Sequence, residues 1–171
     1  MTAAIFGLLG VIVGGVLNGL VSWRIERSRA LREARAVARL TYVELGDARA
    51  GLNSYVANVR HGMTLAKAEA ELTDTLRDDA WNEHGRILAL VLEPSAWEPL
   101  VHAYNTITGL KRRGEHRREP VLLARTQAES VSFAAFFRVG IVQAMIELAR
   151  YTGDAVPEWL IRETDERFVD G

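Results

Sequence analysis

The hydrophobic and polar positions of this chain follow three regimes in turn. In the first, Ala3 to Trp23 runs 21 residues without a charge, and eleven of them are Ile, Leu, Val or Phe. At about 1.5 Å per residue a helix of that length covers roughly 31 Å, close to the ~30 Å of a bilayer's hydrocarbon core. The eleven large apolar residues contribute roughly −3 to −7 kcal/mol to insertion, offset in part by five glycines, Asn18 and Ser22. Trp23 closes the run where an aromatic anchor belongs, at headgroup level. The pattern predicts one membrane-spanning helix over residues 1–23. A cleaved signal peptide would need a basic stretch ahead of the apolar run and a small-x-small cleavage site after it. Met1 to Ala4 carries no side-chain charge, and no Ala-x-Ala lies near the end of the run.

In the second regime the apolar period becomes helical. Leu31, Ala38, Leu45, Leu52 and Val59 recur every seven residues, and Ala34, Thr41, Ala48 and Tyr55 fill the intervening positions. Small residues make this a poor two-stranded seam. Val37, Leu40, Val43 and Val56 widen the stripe, which favours packing in a bundle. The spacing predicts a long juxtamembrane helix over 24–62, weakened at Gly46 and Gly51 and stopped at His61-Gly62.

The third regime, residues 63–171, reads as a cytoplasmic bundle packing on 24–62. Thr64 can N-cap a short helix to about Leu76, and Asp78-Asp79 can open another through Leu92. Pro94 suits the first turn of a helix to about Leu110, with Trp97, Leu100, Val101, Tyr104 and Ile107 inside. A charged link, Lys111 to Arg118, separates it from a long helix opening at Pro120 and ended by Gly153. Pro157 starts a last short helix with Trp159, Leu160 and Phe168. No stretch alternates at period two, so the fold class is all-α: one N-terminal transmembrane helix continuing into a helical bundle.

Val131 to Ala149 is apolar enough to raise a second span. Arg138 at its centre and Glu147 near its end each cost about 2.5–3.5 kcal/mol in a bilayer. A bundle helix with Phe133, Phe136, Phe137, Ile141, Met145 and Leu148 inside is the expectation.

Charge orients the chain. Residues 24–39 carry six Arg against two Glu, a net +4, whereas residues 40–171 carry a net −5. Arg24, Arg27, Arg29, Arg32 and Arg35 follow the span directly, so the positive-inside rule places the C-terminal side in the cytoplasm and the N-terminus outside. The same arginines can contact anionic lipid, at about 1 kcal/mol each. The chain has no cysteine, in keeping with a cytoplasmic body. Only Lys67 and Lys111 of its 21 basic residues are lysine, a bias of GC-rich bacterial genomes. The expected location is the bacterial cytoplasmic membrane.

Candidate chemistry is sparse. Gly7, Gly10, Gly14 and Asn18 share one helical face, on which two helices can approach closely and Asn18 can hydrogen-bond across the contact. Asp78, Asp79, Glu83, His84, Glu98 and His102 cluster on two neighbouring helices. They include no Glu-x-x-His pair, and the chain holds no HExxH, so they read as a solvated polar face without metal. Walker A, G-x-S-x-G and G-x-G-x-x-G motifs are absent. The basic link lacks interleaved aromatics, and no nucleic-acid partner is expected. No catalytic residue and no cofactor is assigned.

The glycine-rich span running into Arg24-Ile25-Glu26-Arg27-Ser28-Arg29, together with Trp81, Leu88, Leu92, Trp97 and Tyr104, resembles single-pass membrane proteins of actinobacteria and their mobile elements. That group carries no activity to transfer. The expected partners are the lipid bilayer and a second copy or another membrane protein. The expected function is a membrane-anchored scaffold or interaction module rather than an enzyme. The alternatives are an oligomeric membrane effector or small-pore subunit, and an enzyme with its site in the Asp78–His102 region.

Overall fold

The computed structural model describes residues 2–116 and 126–165, with side-chain surroundings given for 14–112 and 126–164. Six helices and no strand occur among the described residues: α1 (Thr2–Arg60), α2 (Leu65–Thr75), α3 (Asp79–Val91), α4 (Pro94–His116), α5 (Gln127–Thr152) and α6 (Glu158–Asp165). The all-α expectation holds. The chain divides into two compact units, Met1–Ala36 and Val37–Gly171.

The first unit is the N-terminal part of α1. Val16, Leu17, Leu20, Val21 and Trp23 are all more than half exposed, and Leu31 is exposed as well. Arg27 lies over the Trp23 ring, 5.3 Å from its centroid.

In the second unit, the heptad residues of α1 are the centre of the core. Ala38, Thr41, Leu45, Ala48, Leu52, Tyr55 and Val59 are all buried. Seven-residue recurrence puts them on one face of a 3.6-residue helix, and that face is closed by the other helices. Leu40 and Val43 do not widen this stripe as the sequence predicted. They lie on the opposite side, 55% and 61% exposed. Gly46 and Gly51 do not break α1 either. A Cβ on Gly51 would run into the Thr75 side chain and touch Leu72, so this glycine is what lets α2 approach α1 closely. Gly62, at φ 86°, makes the turn after α1.

Four pairings give the direction of α5 along α1. Tyr55 meets Ser130, Asn53 meets Arg138, a Cβ on Gly46 would meet Met145, and Arg39 meets Asp154. As one number falls the other rises, so the two helices are antiparallel. The N-terminus of α5 is set by Thr126, whose side chain accepts from Glu129 N–H while Glu129 returns a bond to the Thr126 N–H. This capping box leaves two end donors satisfied and corrects the expected start at Pro120. Residues 117–125, with the last two residues of the charged link, and Phe168 lie outside the described residues. Gly153, in the left-handed conformation at φ 78°, closes α5 by donating to Ala149 and Arg150.

Two further expectations change. Helix α4 continues past Leu110 to His116, taking in the first part of the charged link. On α5, Ile141, Met145 and Leu148 are buried, but Phe133 and Phe136 are 42% and 64% exposed. Phe137 is half-buried, stacks on Phe133 and meets Phe136 edge-on. Among the residues with described surroundings, which leave out most of the Ala3–Trp23 run, α5 is the one helix long and apolar enough to cross a membrane. Nine of its residues, eight of them apolar, are nevertheless buried in the body of the protein.

Candidate functional site

The sequence-predicted association face and lipid contacts fall in the first unit. Gly14 and Asn18 are exposed, and a Cβ on Gly14, Gly15 or Gly19 would meet no atom within 4 Å. Gly7 and Gly10 lie on the same helix, outside the residues with described surroundings. Arg24, Arg27, Arg29, Arg32 and Arg35 are all exposed. Ser28 donates back to the Ile25 carbonyl and Arg32 to the Ser28 carbonyl, so one of these arginines is bonded within the helix. Among the residues with described surroundings, no atom covers the backbone at Gly14, Gly15 or Gly19, and the five arginines are exposed.

The second unit holds two clusters of buried charge that the sequence did not bring together. The first surrounds the start of α3. Glu44 of α1 is 7% exposed and accepts twice: Oε2 from the Tyr104 hydroxyl at 2.6 Å, and Oε1 from the Ala80 backbone N–H at 3.1 Å. A buried carboxylate without donors would cost several kcal/mol, so these two bonds are what allow Glu44 inside. Burial, and then Glu44 itself, push the Tyr104 hydroxyl far above the ordinary phenol range. The same tyrosine ring stacks on Trp81 at 4.5 Å, and Trp81 stacks on Trp97 at 5.0 Å. Gly85 leaves room for the Trp81 ring one turn away.

Asp78 belongs to this end of the fold as well. The sequence reads it as a solvated acid and a helix cap, yet its side chain is buried and makes no cap bond. Its carboxylate turns to Lys111 and Thr108 of α4. Burial pushes the Asp78 carboxyl up, but Lys111, Asn82 and Thr108 together hold it below its usual range. The other acids and histidines of the supposed cluster separate. Asp79, Glu98 and His102 are exposed, and Glu83 and His84 meet only each other at 3.7 Å. No group of three potential metal ligands occurs among the described residues.

The second cluster ties α6 to α1 and α5. Glu163 is 8% exposed. Its Oε2 accepts from Arg49 Nε at 2.8 Å and Nη2 at 2.6 Å, and its Oε1 lies 3.0 Å from Arg138 Nε. The Arg138 contact is an ion pair whose donor and acceptor are poorly aligned, and neither atom has another hydrogen bond. Arg138 Nη1 also donates to Asn53 at 3.2 Å. Arg49 lies 4.2 Å from the Trp159 ring centroid, a cation–π contact. The arginine that makes α5 a costly membrane span is therefore answered by a carboxylate 25 residues further along the chain. Asking which acid could compensate Arg138 was the one signal available; the sequence offers many candidates and does not choose among them.

An open depression of about 390 Å³ is lined by Asn58, His61, Gly62, Met63, Thr64 and Lys67 at the α1–α2 turn. It gathers no buried polar group and no pair of residues suited to catalysis. No family model matches this chain, and neither a known protein nor a solved structure similar to it was found.

Proposed function

We propose that this protein is a membrane-anchored helical interaction module. The N-terminal part of α1 spans the cytoplasmic membrane, its arginines rest against anionic headgroups, and a helical bundle stands on the cytoplasmic side. The module associates with a second copy or with another membrane protein. The observation that carries this reading is α1 itself. One unbroken helix contains both the uncharged segment Ala3–Trp23 and, from Val37 onward, the buried stripe around which the bundle is built.

Two features support association through the span. The exposed Gly14, Gly15 and Gly19 present backbone without side chains in the way, and close helix approach in lipid depends on such residues. Asn18 is open on the same stretch and can bond to its counterpart. The buried acids Glu44, Asp78 and Glu163 are engaged in holding helices together, which favours a binding role over a catalytic one.

The experiment is a size measurement in mild detergent on the full-length protein and on a chain beginning at Arg24. The reading expects an oligomer for the first and a monomer for the second. Equal oligomers would move the association to the bundle; two monomers would remove self-association altogether.

A further inference from the structure

Helix α6 is held in an unusual way for its size. It has eight residues, one fully buried apolar side chain, Leu160, and one buried charge, Glu163. The segment before it hinges at Gly153, whose φ of 78° favours glycine, and is fastened by the Arg39–Asp154 pair, which is largely exposed and contributes little. The grip on α6 therefore rests on Leu160 and on the cradle formed by Arg49, Arg138 and Asn53, with Trp159 over Arg49. That cradle is built from residues of α1 and α5. Two guanidinium groups converging on one point, one of them steadied by the Asn53 side-chain oxygen, are a pattern that recognises a carboxylate. Glu163 fills the cradle imperfectly, since Arg138 Nε and Glu163 Oε1 are within 3.0 Å but out of line.

We propose that the Arg49–Arg138–Asn53 cradle is a binding site for an acidic side chain on a helical peptide of a partner, and that α6 is its internal occupant. The strap closes the site in the resting protein. A partner segment with a carboxylate one turn from an apolar residue and an aromatic, as Glu163 stands to Leu160 and Trp159, displaces it. The rest of the bundle stays folded when the strap lifts, because Leu160 is the one α6 residue in a buried core otherwise supplied by the helices before it. The inference is independent of the membrane reading, since every residue in it belongs to the second unit.

The test uses the full-length protein in mild detergent. Amide hydrogen exchange is followed in α6 and in the 141–149 stretch of α5, for the wild type, for Glu163→Gln and for Arg49→Gln. A fluorescent peptide of residues 155–165 is then titrated into each protein. Glu163→Gln should raise exchange in α6 at least tenfold and leave 141–149 within twofold. Arg49→Gln, which removes both hydrogen bonds to Glu163 and leaves only the misaligned Arg138 pair, should raise it by a comparable factor. The peptide should bind Glu163→Gln at least tenfold more tightly than wild type, and adding Arg138→Gln to that variant should remove the gain. Three results would overturn the proposal: unchanged α6 exchange, loss of protection in 141–149 together with α6, or a peptide that does not distinguish wild type from Glu163→Gln.

Discussion

The Tyr104 hydroxyl donates to Glu44 Oε2 at 2.6 Å, and both side chains are buried between α1 and α4. A hydrogen bond to a charged group contributes about 1.5–3 kcal/mol, and an abandoned buried carboxylate costs more than a lost neutral bond. Tyr104→Phe leaves Glu44 with the Ala80 N–H alone. The variant is expected to lose about 2 kcal/mol of stability in denaturant titration of the bundle. A loss under 0.5 kcal/mol would mean that water reaches Glu44.

The same pair gives the bundle an alkaline limit. The folded-state pKa of Tyr104 is raised above the unfolded value of about 10, so its contribution is complete below pH 10 and declines above it. Asp78 works in the opposite sense. Its folded-state pKa is lowered, so the stabilisation is present above about pH 4 and is lost as the pH falls further. Lys111→Met should shrink the acid-side loss, and Tyr104→Phe the alkaline-side loss, in stability measured against pH.

Exposure on α5 separates two kinds of apolar residue that the sequence treats alike. Ile141→Ala removes atoms from a closed core and should cost about 2–4 kcal/mol. Phe136→Ser, on a residue 64% exposed, should change stability by less than about 0.5 kcal/mol. Comparable losses for both would place Phe136 inside an interface of the assembled protein.

Gly51 offers a test of the α1–α2 contact. Gly51→Ala would raise helix propensity by about 1 kcal/mol at an open site. Here the new methyl meets Thr75 and Leu72, so the substitution is expected to destabilise by about 1–3 kcal/mol instead. Thr75→Ala in the same chain should recover part of that loss, read as a rise in Tm.

Much of the architecture was legible from period and punctuation. The seven-residue recurrence of Ala38, Leu45, Leu52 and Val59 identified the buried face of α1, and Thr64, Pro94 and Gly153 marked helix ends that the structure keeps. Width was not legible. Leu40 and Val43 are as apolar as Val37, and only the placement of neighbouring helices decides that Val37 is covered and the other two are not. The charge clusters were hidden for a related reason. Asp78 and Lys111, or Arg138 and Glu163, are far apart in sequence, and hydrophobic periodicity says which face turns inward without saying which helix it meets. Gly51 reads as a helix breaker in a sequence and as a close approach once α2 is in place.

The glycine face yields a prediction in the membrane. Gly14→Leu fills the open backbone surface, and Asn18→Leu removes the polar group beside it. Each is expected to weaken association at least several-fold in detergent, because close approach and the cross-helix hydrogen bond contribute about 1–2 kcal/mol. Unchanged size for both variants would take this face out of the account.

The central claim is that the bundle is anchored at the cytoplasmic face of the membrane by α1. The most direct measurement is protease treatment of intact spheroplasts, with and without detergent lysis, on membranes washed at alkaline pH and probed with an antibody to the bundle. The account predicts that the protein stays with the washed membranes and that the bundle is cut only after lysis. Release by the wash, or cleavage in intact spheroplasts, would contradict it.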